Sequence, residues 1–186
     1  MTPLVNLADL ALAAPEIVIT ATGLLVLLLD VAVRGRNRGW LGGVSVVGVT
    51  VALGLVLRQT AGPARSLAFS GLHVVDNYAN FFKVVFLLST IIVILLSART
   101  LQEQGMAVGE FNALLLFATL GTMLMASAAD LLSLFVGLET MAVCTYVLCG
   151  FLKGDQRCYE GALKYLLTGV FSTGVGLYGM VLLYGF

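Results

Sequence analysis

Two ionisable residues stand where charge is costly. Glu139 lies in the apolar run Leu131 to Leu152, and Lys164 in the run Gly161 to Phe186. Glu139 is about nine residues past Asp130, so on a helix it lies roughly 13 Å deep, near a bilayer midplane. An ionised carboxylate there costs at least ~2.5–3.5 kcal/mol. Its sequence neighbours Phe135, Val136, Leu138 and Val143 supply no cation. A carboxyl so placed suits a proton relay, which is the default role of an intramembrane acid; a neutral, hydrogen-bonded structural carboxyl is the alternative. Lys164 sits a turn or so inside its run. Its long stem allows snorkelling to the headgroups. Against that, Gly161, Thr168, Ser172 and Gly179 lie within about 80° of it on a helix, and small and hydroxyl residues mark helix–helix contacts in membranes. Lys164 therefore reads as facing protein or a hydrated cavity. A carboxyl and an amine within about two turns of one another along the membrane normal can shift each other's proton affinity.

The remaining polar residues carry less. Lys83, a turn or so inside its run, is expected to snorkel outward, and His73, the only histidine, is expected in an outer loop with nothing at ligand spacing. Asp30 is expected in a surface pair beside Arg34, and Arg99, Glu103 and Glu110 in a solvated loop. Cys144, Cys149 and Cys158 match no disulfide framework, zinc site or iron–sulfur motif. No nucleophile elbow, phosphate loop, haem or flavin motif occurs, so the chain offers no redox centre of its own.

The elements that position these residues follow from composition. Of 186 residues, 60% are hydrophobic and 11% charged, with a mean hydropathy of +1.03. Soluble domains carry roughly 25% charged residues, so an ordinary soluble domain, a disordered chain, a coiled coil and a nucleic-acid binder are all excluded. Six runs approach the roughly 20 residues a bilayer-spanning helix needs: 17–33, 41–57, 78–97, 111–129, 131–152 and 161–186. The expected fold is one all-α, polytopic membrane domain over residues 1–186, its partner surface the lipid bilayer. Strand-like alternation is not evident, which argues against a β-barrel. Asp130 must sit in a tight hairpin and is a good N-cap; Asp76 and Asn77 can cap the third span, and Gly154 and Asp155 break the chain before the sixth. The first run is not a signal peptide, because its first basic residue, Arg34, follows it. Arg34, Arg36, Arg38, Arg99, Lys153 and Arg157 share one side; Arg58 and Arg65 lie on the other. The larger set is expected in the cytoplasm, with both termini outside.

The stretch DLLSLFVGLETMAVCTYVLCG, from Asp130 to Gly150, followed by EGALKYLLTGVFSTGVGLYGMVLLYG, from Glu160 to Gly185, resembles the subunit-N family of bacterial NADH:quinone oxidoreductase, respiratory complex I, and its organellar subunit 2. The resemblance is strong over 110–186, weaker but collinear over 76–99, and loose before that. Related families include other antiporter-like subunits of complex I, hydrogenase-linked subunits and multisubunit sodium/proton antiporters. Several of those have Trp before the glutamate; Leu138 stands here, which favours the subunit-N type. The resemblance implies the N-terminal part of an antiporter-like, inverted-repeat fold of about fourteen spans. It implies a proton-translocating membrane-arm subunit in which Glu139 is the span-five glutamate and Lys164 the span-six lysine, both moving protons. Further lysines of the family lie beyond Phe186. NADH, FMN, iron–sulfur clusters and quinone would be used by other subunits, the partners would be other membrane-arm subunits, and the place would be the bacterial inner membrane. Lys83 lies outside the family's motif and reads as local anchoring. A sodium/proton antiporter or hydrogenase-linked subunit, or a non-catalytic membrane scaffold, are the competing readings.

Overall fold

The computed structural model describes residues 7–32, 39–62 and 65–185. Its helices are α1 (Leu7–Leu12), α2 (Ala14–Ala32), α3 (Trp40–Thr60), α4 (Asn77–Glu103), α5 (Val108–Ala126), α6 (Leu131–Cys149) and α7 (Gln156–Gly185). The six from α2 to α7 are long and apolar enough to cross a membrane. The cluster Arg34, Arg36 and Arg38 lies outside the described residues.

Helix starts follow local chemistry. The Asp76 carboxylate accepts from the Ala79 amide at 2.7 Å and the Asp130 carboxylate from the Ser133 amide at 2.9 Å. Each satisfies an amide that has no partner within its helix. The sharp break before α7 passes through Gly154 at φ +97°, a conformation glycine adopts without steric cost.

Two boundaries differ usefully from the expected ones. α2 begins at Ala14 rather than Ile17, which takes Glu16 into the helix. α7 begins at Gln156 rather than Gly161. Hydropathy marks where apolar residues end, whereas a helix continues while its backbone bonds are met.

Helices α2 to α5 enclose one apolar core, in which Ile19, Val49, Ala52, Val56, Leu87, Ile94, Leu116 and Met123 are buried. A hydrogen bond between the Thr90 and Thr119 hydroxyls, 2.7 Å, ties α4 to α5 inside it. α6 lies against α5 at very close range. A Cβ on Gly121 would stand 2.5 Å from the Met141 amide nitrogen, and one on Gly137 2.8 Å from that of Met125. α7 packs chiefly on α6 and buries none of its residues.

One element was not expected. Between α3 and α4, β1 (Arg65–Ala68) and β2 (His73–Asp76) form an antiparallel hairpin in which Arg65 faces Asp76 and Ala68 faces His73. Four-residue strands are too short for an alternation to stand out. The hairpin is stitched to the α5–α6 turn: the Val74 amide donates to Ser127 O at 2.8 Å and the Ala129 amide to Leu72 O at 3.2 Å. This gives the bundle a hairpin end, with α1, the start of α2 and Asp130, and an opposite end with Arg99, Glu110 and Lys153. At that opposite end Lys153 pairs with Glu110 at 3.4 Å. Asp30 is not on the surface there: it is buried, and a Cβ on Gly109 would stand 2.5 Å from its side chain. The missing side chain on α5 is what lets the carboxyl in.

Candidate functional site

Glu139 lies in mid-α6, partly buried, and its Oε1 accepts a hydrogen bond from the Thr173 hydroxyl of α7 at 2.9 Å. A donor at that oxygen favours holding a carboxyl in hydrocarbon, where an unmade bond is costly. The α6–α7 seam continues toward the opposite end. The Tyr146 ring meets Tyr165 edge-on at 4.8 Å, its phenol lies over Gly169, and Gly150 abuts Ala162. The paired numbers 139 with 173 and 150 with 162 both sum to 312, the mark of one antiparallel register. By that register Lys164 lies level with Leu148, nine residues from Glu139, or roughly 13 Å along the axis.

Lys164 therefore does not touch Glu139. Its ammonium donates to Glu160 Oε1 at 2.5 Å, one turn earlier on the same helix, and both side chains are exposed. The face of α7 that carries Lys164 is open among the described residues, and Lys164 does not reach into the α2–α5 bundle.

The structure brings together three other ionisable groups. Lys83 on α4 is fully buried, with its ammonium 2.6 Å from Glu16 Oε1 on α2, and Glu16 is 5% exposed at its side chain. His73 on β2 is buried as well, with Nε2 3.9 Å from the same oxygen. The expectations that Lys83 snorkels outward and that His73 sits alone in a loop are both overturned. The physical reason lies in the packing: α3, α5 and β2 pack on α4, and Glu16 of α2 supplies the countercharge. Burial pushes the His73 imidazole below its ordinary value of 6.5; the Glu16 carboxylate opposes that shift and the Lys83 ammonium adds to it. Sequence reasoning missed Glu16 because it precedes the apolar run. A hint was present all the same: an acid and a base lie at similar depth on two spans that enter from the same side.

A cavity of about 500 Å³ opens beside this cluster, lined by Glu16, His73, Phe69 and Leu72 on one side and by Ser133 and Val136 of α6 on the other. Among the described residues, no group of three or more His, Cys, Asp or Glu converges in a way that would hold a metal ion.

Residues 128–186 match the family described as NADH:quinone oxidoreductase/Mrp antiporter, transmembrane. The whole chain is 41% identical, over 196 residues, to NADH-quinone oxidoreductase subunit N 1 of Koribacter versatilis, covering 100% of this chain and 38% of that protein. It is 43% identical to subunit N 2 of Rhizobium meliloti, covering 94% of this chain and 36% of that one. It is 41% identical to NAD(P)H-quinone oxidoreductase subunit 2 of Prochlorococcus marinus, covering 98% and 35%. Among solved structures it is similar to a chain of respiratory complex I from Thermus thermophilus with bound aureothin, at 26% identity and a TM-score of 0.73, covering 92% of this chain and 36% of that one. The chain thus spans little more than a third of the length of these relatives. The segment that matches the family holds Glu139, Lys164 and Thr173, and its partner helices fold as the complex I neighbour's do. Residues 128–186 thus match the antiporter-like membrane family of NADH:quinone oxidoreductase, and the chain over its full length is similar to part of the subunit-N proteins.

Proposed function

We propose that the chain forms part of a membrane-arm subunit that moves protons as NADH is oxidised and quinone reduced elsewhere in the same assembly. One observation carries the reading: Glu139 holds a carboxyl within a membrane span, bonded to a hydroxyl of the next span, inside the segment matched to the family. A carboxyl there takes up and gives away a proton at low cost only with polar partners, and Thr173 is one. Lys164 is the positive partner whose charge state would respond to Glu139 at a distance, through helices that meet the open face of α7. Residues 1–186 act as one transmembrane unit. NADH, FMN, iron–sulfur clusters and quinone belong to partner subunits, and the remaining contacts are with other membrane-arm subunits and lipid. The membrane is the bacterial inner membrane, with the hairpin end and N-terminus on the periplasmic side; the basic bias of the opposite end supports that orientation.

The test uses the complete subunit in its assembled complex. Glu139→Ala is expected to lower NADH-driven proton pumping and Glu139→Asp to be milder, because it keeps a carboxyl within a methylene's reach. Lys164→Met should follow Glu139→Ala. Unchanged pumping and quinone reduction in assembled Glu139→Ala complex would remove the residue from the pathway. Because the family description also covers Mrp antiporters, sodium-dependent proton exchange without NADH would favour that branch.

A further inference from the structure

The Glu16–Lys83–His73 cluster has features that an anchoring ion pair does not need. Three titratable groups converge from three separate elements, α2, α4 and β2. Both Glu16 carboxylate oxygens, His73 Nε2 and Lys83 Nζ are buried without a hydrogen bond of good geometry, although Lys83 and Glu16 are in ion-pair contact. Asn80 Oδ1, one turn before Lys83, is buried and unbonded too. An anchor would be expected to satisfy its polar atoms. Glu16 and His73 also supply the ionisable part of the wall of the cavity that opens between the hairpin and α6. None of the three residues lies in the segment matched to the family.

We propose that Glu16, Lys83 and His73 form a second protonatable site, which exchanges a proton with water at the hairpin end through the cavity between β2 and α6. With Lys83 charged, Glu16 ionised and His73 neutral, the site carries no net charge. A proton can pass from the Lys83 ammonium to Glu16 Oε1, breaking an N–H and forming an O–H, and then from that oxygen to His73 Nε2. The result is a neutral amine, a carboxylate and an imidazolium, again with no net charge. Only the last step, in which the imidazolium gives an N–H proton to the cavity, changes the buried charge, and it takes place at the wall nearest water. While Lys83 is a neutral amine the Glu16 carboxylate holds the proton on the imidazole, and return of a proton to Lys83 drives that step, because the ammonium weakens the imidazole's hold on a proton and the carboxylate strengthens it. Other charged groups on packed elements at this end are Asp9 of α1, Arg58 in the last turn of α3, Arg65 of β1, Asp76 at the head of α4 and Asp130 at the head of α6; α5 ends there with Leu124 and its cap Ser127 and presents no charge. The α6 wall of the cavity ends at Val136, one turn from Glu139, so the two sites lie on either side of one helix turn.

Two measurements test this, and only the second rests on the proposed function. His73 is the only histidine, so imidazole-nitrogen NMR of the full chain in nanodiscs, purified without a polyhistidine tag, follows one group. The expected result is a titration whose midpoint rises by about one pH unit or more in Lys83→Met and falls in Glu16→Gln. A midpoint common to all three proteins, or no titration at all, overturns the proposal. In the assembled complex, the paired variant Glu16→Gln with Lys83→Met keeps the volume and neutrality of the pair and is expected to assemble. It should nevertheless lose pumping to the level of Glu139→Ala, and His73→Gln should displace the pH profile of pumping. If the paired variant pumps as the parent does while Glu139→Ala is impaired, the cluster is a structural pair and the proposed function stands. If Glu139→Ala is also unimpaired, the proposed function fails and the histidine titration alone decides the site.

Discussion

A buried ion pair is asymmetric under mutation, and Lys83 shows why. Its ammonium is fully buried and Glu16 is its carboxylate partner. Lys83→Met alone strands a buried charge and is expected to cost roughly 3–5 kcal/mol; adding Glu16→Gln should recover most of it, because replacing a buried pair with neutral groups of similar volume is often near neutral. Thermal unfolding of the single and paired variants in the same detergent checks this, and equal losses in both would show that the charges contribute nothing. His73 adds a pH dependence. Its folded value lies below 6.5, so as pH falls through 6.5 the unfolded chain binds a proton that the folded one refuses. Stability should therefore decline from pH 6.5 down to the lowered folded value and level off below it. His73→Gln should flatten that limb of a stability-against-pH curve, and an unchanged limb would assign it to other groups. At this scale the sequence was partly readable. The place of Glu139 inside α6 was legible from its depth in an apolar run, a property of one segment. Glu16, Lys83 and His73 were not, because their meaning depends on three segments meeting, and a lysine near a span boundary reads equally well as a snorkelling anchor.

Among the elements, the α5–α6 contact is the one a single substitution should break. Gly121 and Gly137 face each other across backbones too close for a side chain. Gly137→Val would drive its branched carbons into the Met125 backbone and is expected to destabilise by about 1–3 kcal/mol or more. Faster proteolysis between α5 and α6 in membranes is the measurement, and parent-like resistance would mean that the helices can separate at little cost. The consequence reaches Glu139, which is two residues beyond Gly137 on the same helix. All six membrane-crossing helices and the Asp76 and Asp130 caps were legible, since hydropathy and capping are local. The hairpin was not, because four-residue strands gain their order from partners far along the chain, Ser127 and Ala129. The early start of α2 was also hidden, since Glu16 looks like the end of an apolar run until Lys83 is beside it.

For the whole molecule, all the ends must sort to two sides. Single cysteines at Arg65 and Lys153, in a cysteine-free background, should label from opposite faces of the membrane, with position 65 reached from the periplasm. Labelling of both from one side would break the six-helix arrangement. The bundle is also uneven: α2 to α5 share a core, whereas α7 is held chiefly by α6 and is bare on every other face. The hairpin adds a constraint of a different kind. Its strands end at Asp76, yet the acceptor and donor that fasten it, Ser127 and Ala129, are made some fifty residues afterwards. At about 5–20 residues per second, a ribosome needs several seconds to cover that gap. During that interval the hairpin has only its own strand pairing and its contacts with α1 and α4 to hold it, and the two bonds to the α5–α6 turn are still to be made. Closing the hairpin end is therefore a late event in biogenesis, and its timing is set by synthesis of the α5–α6 turn.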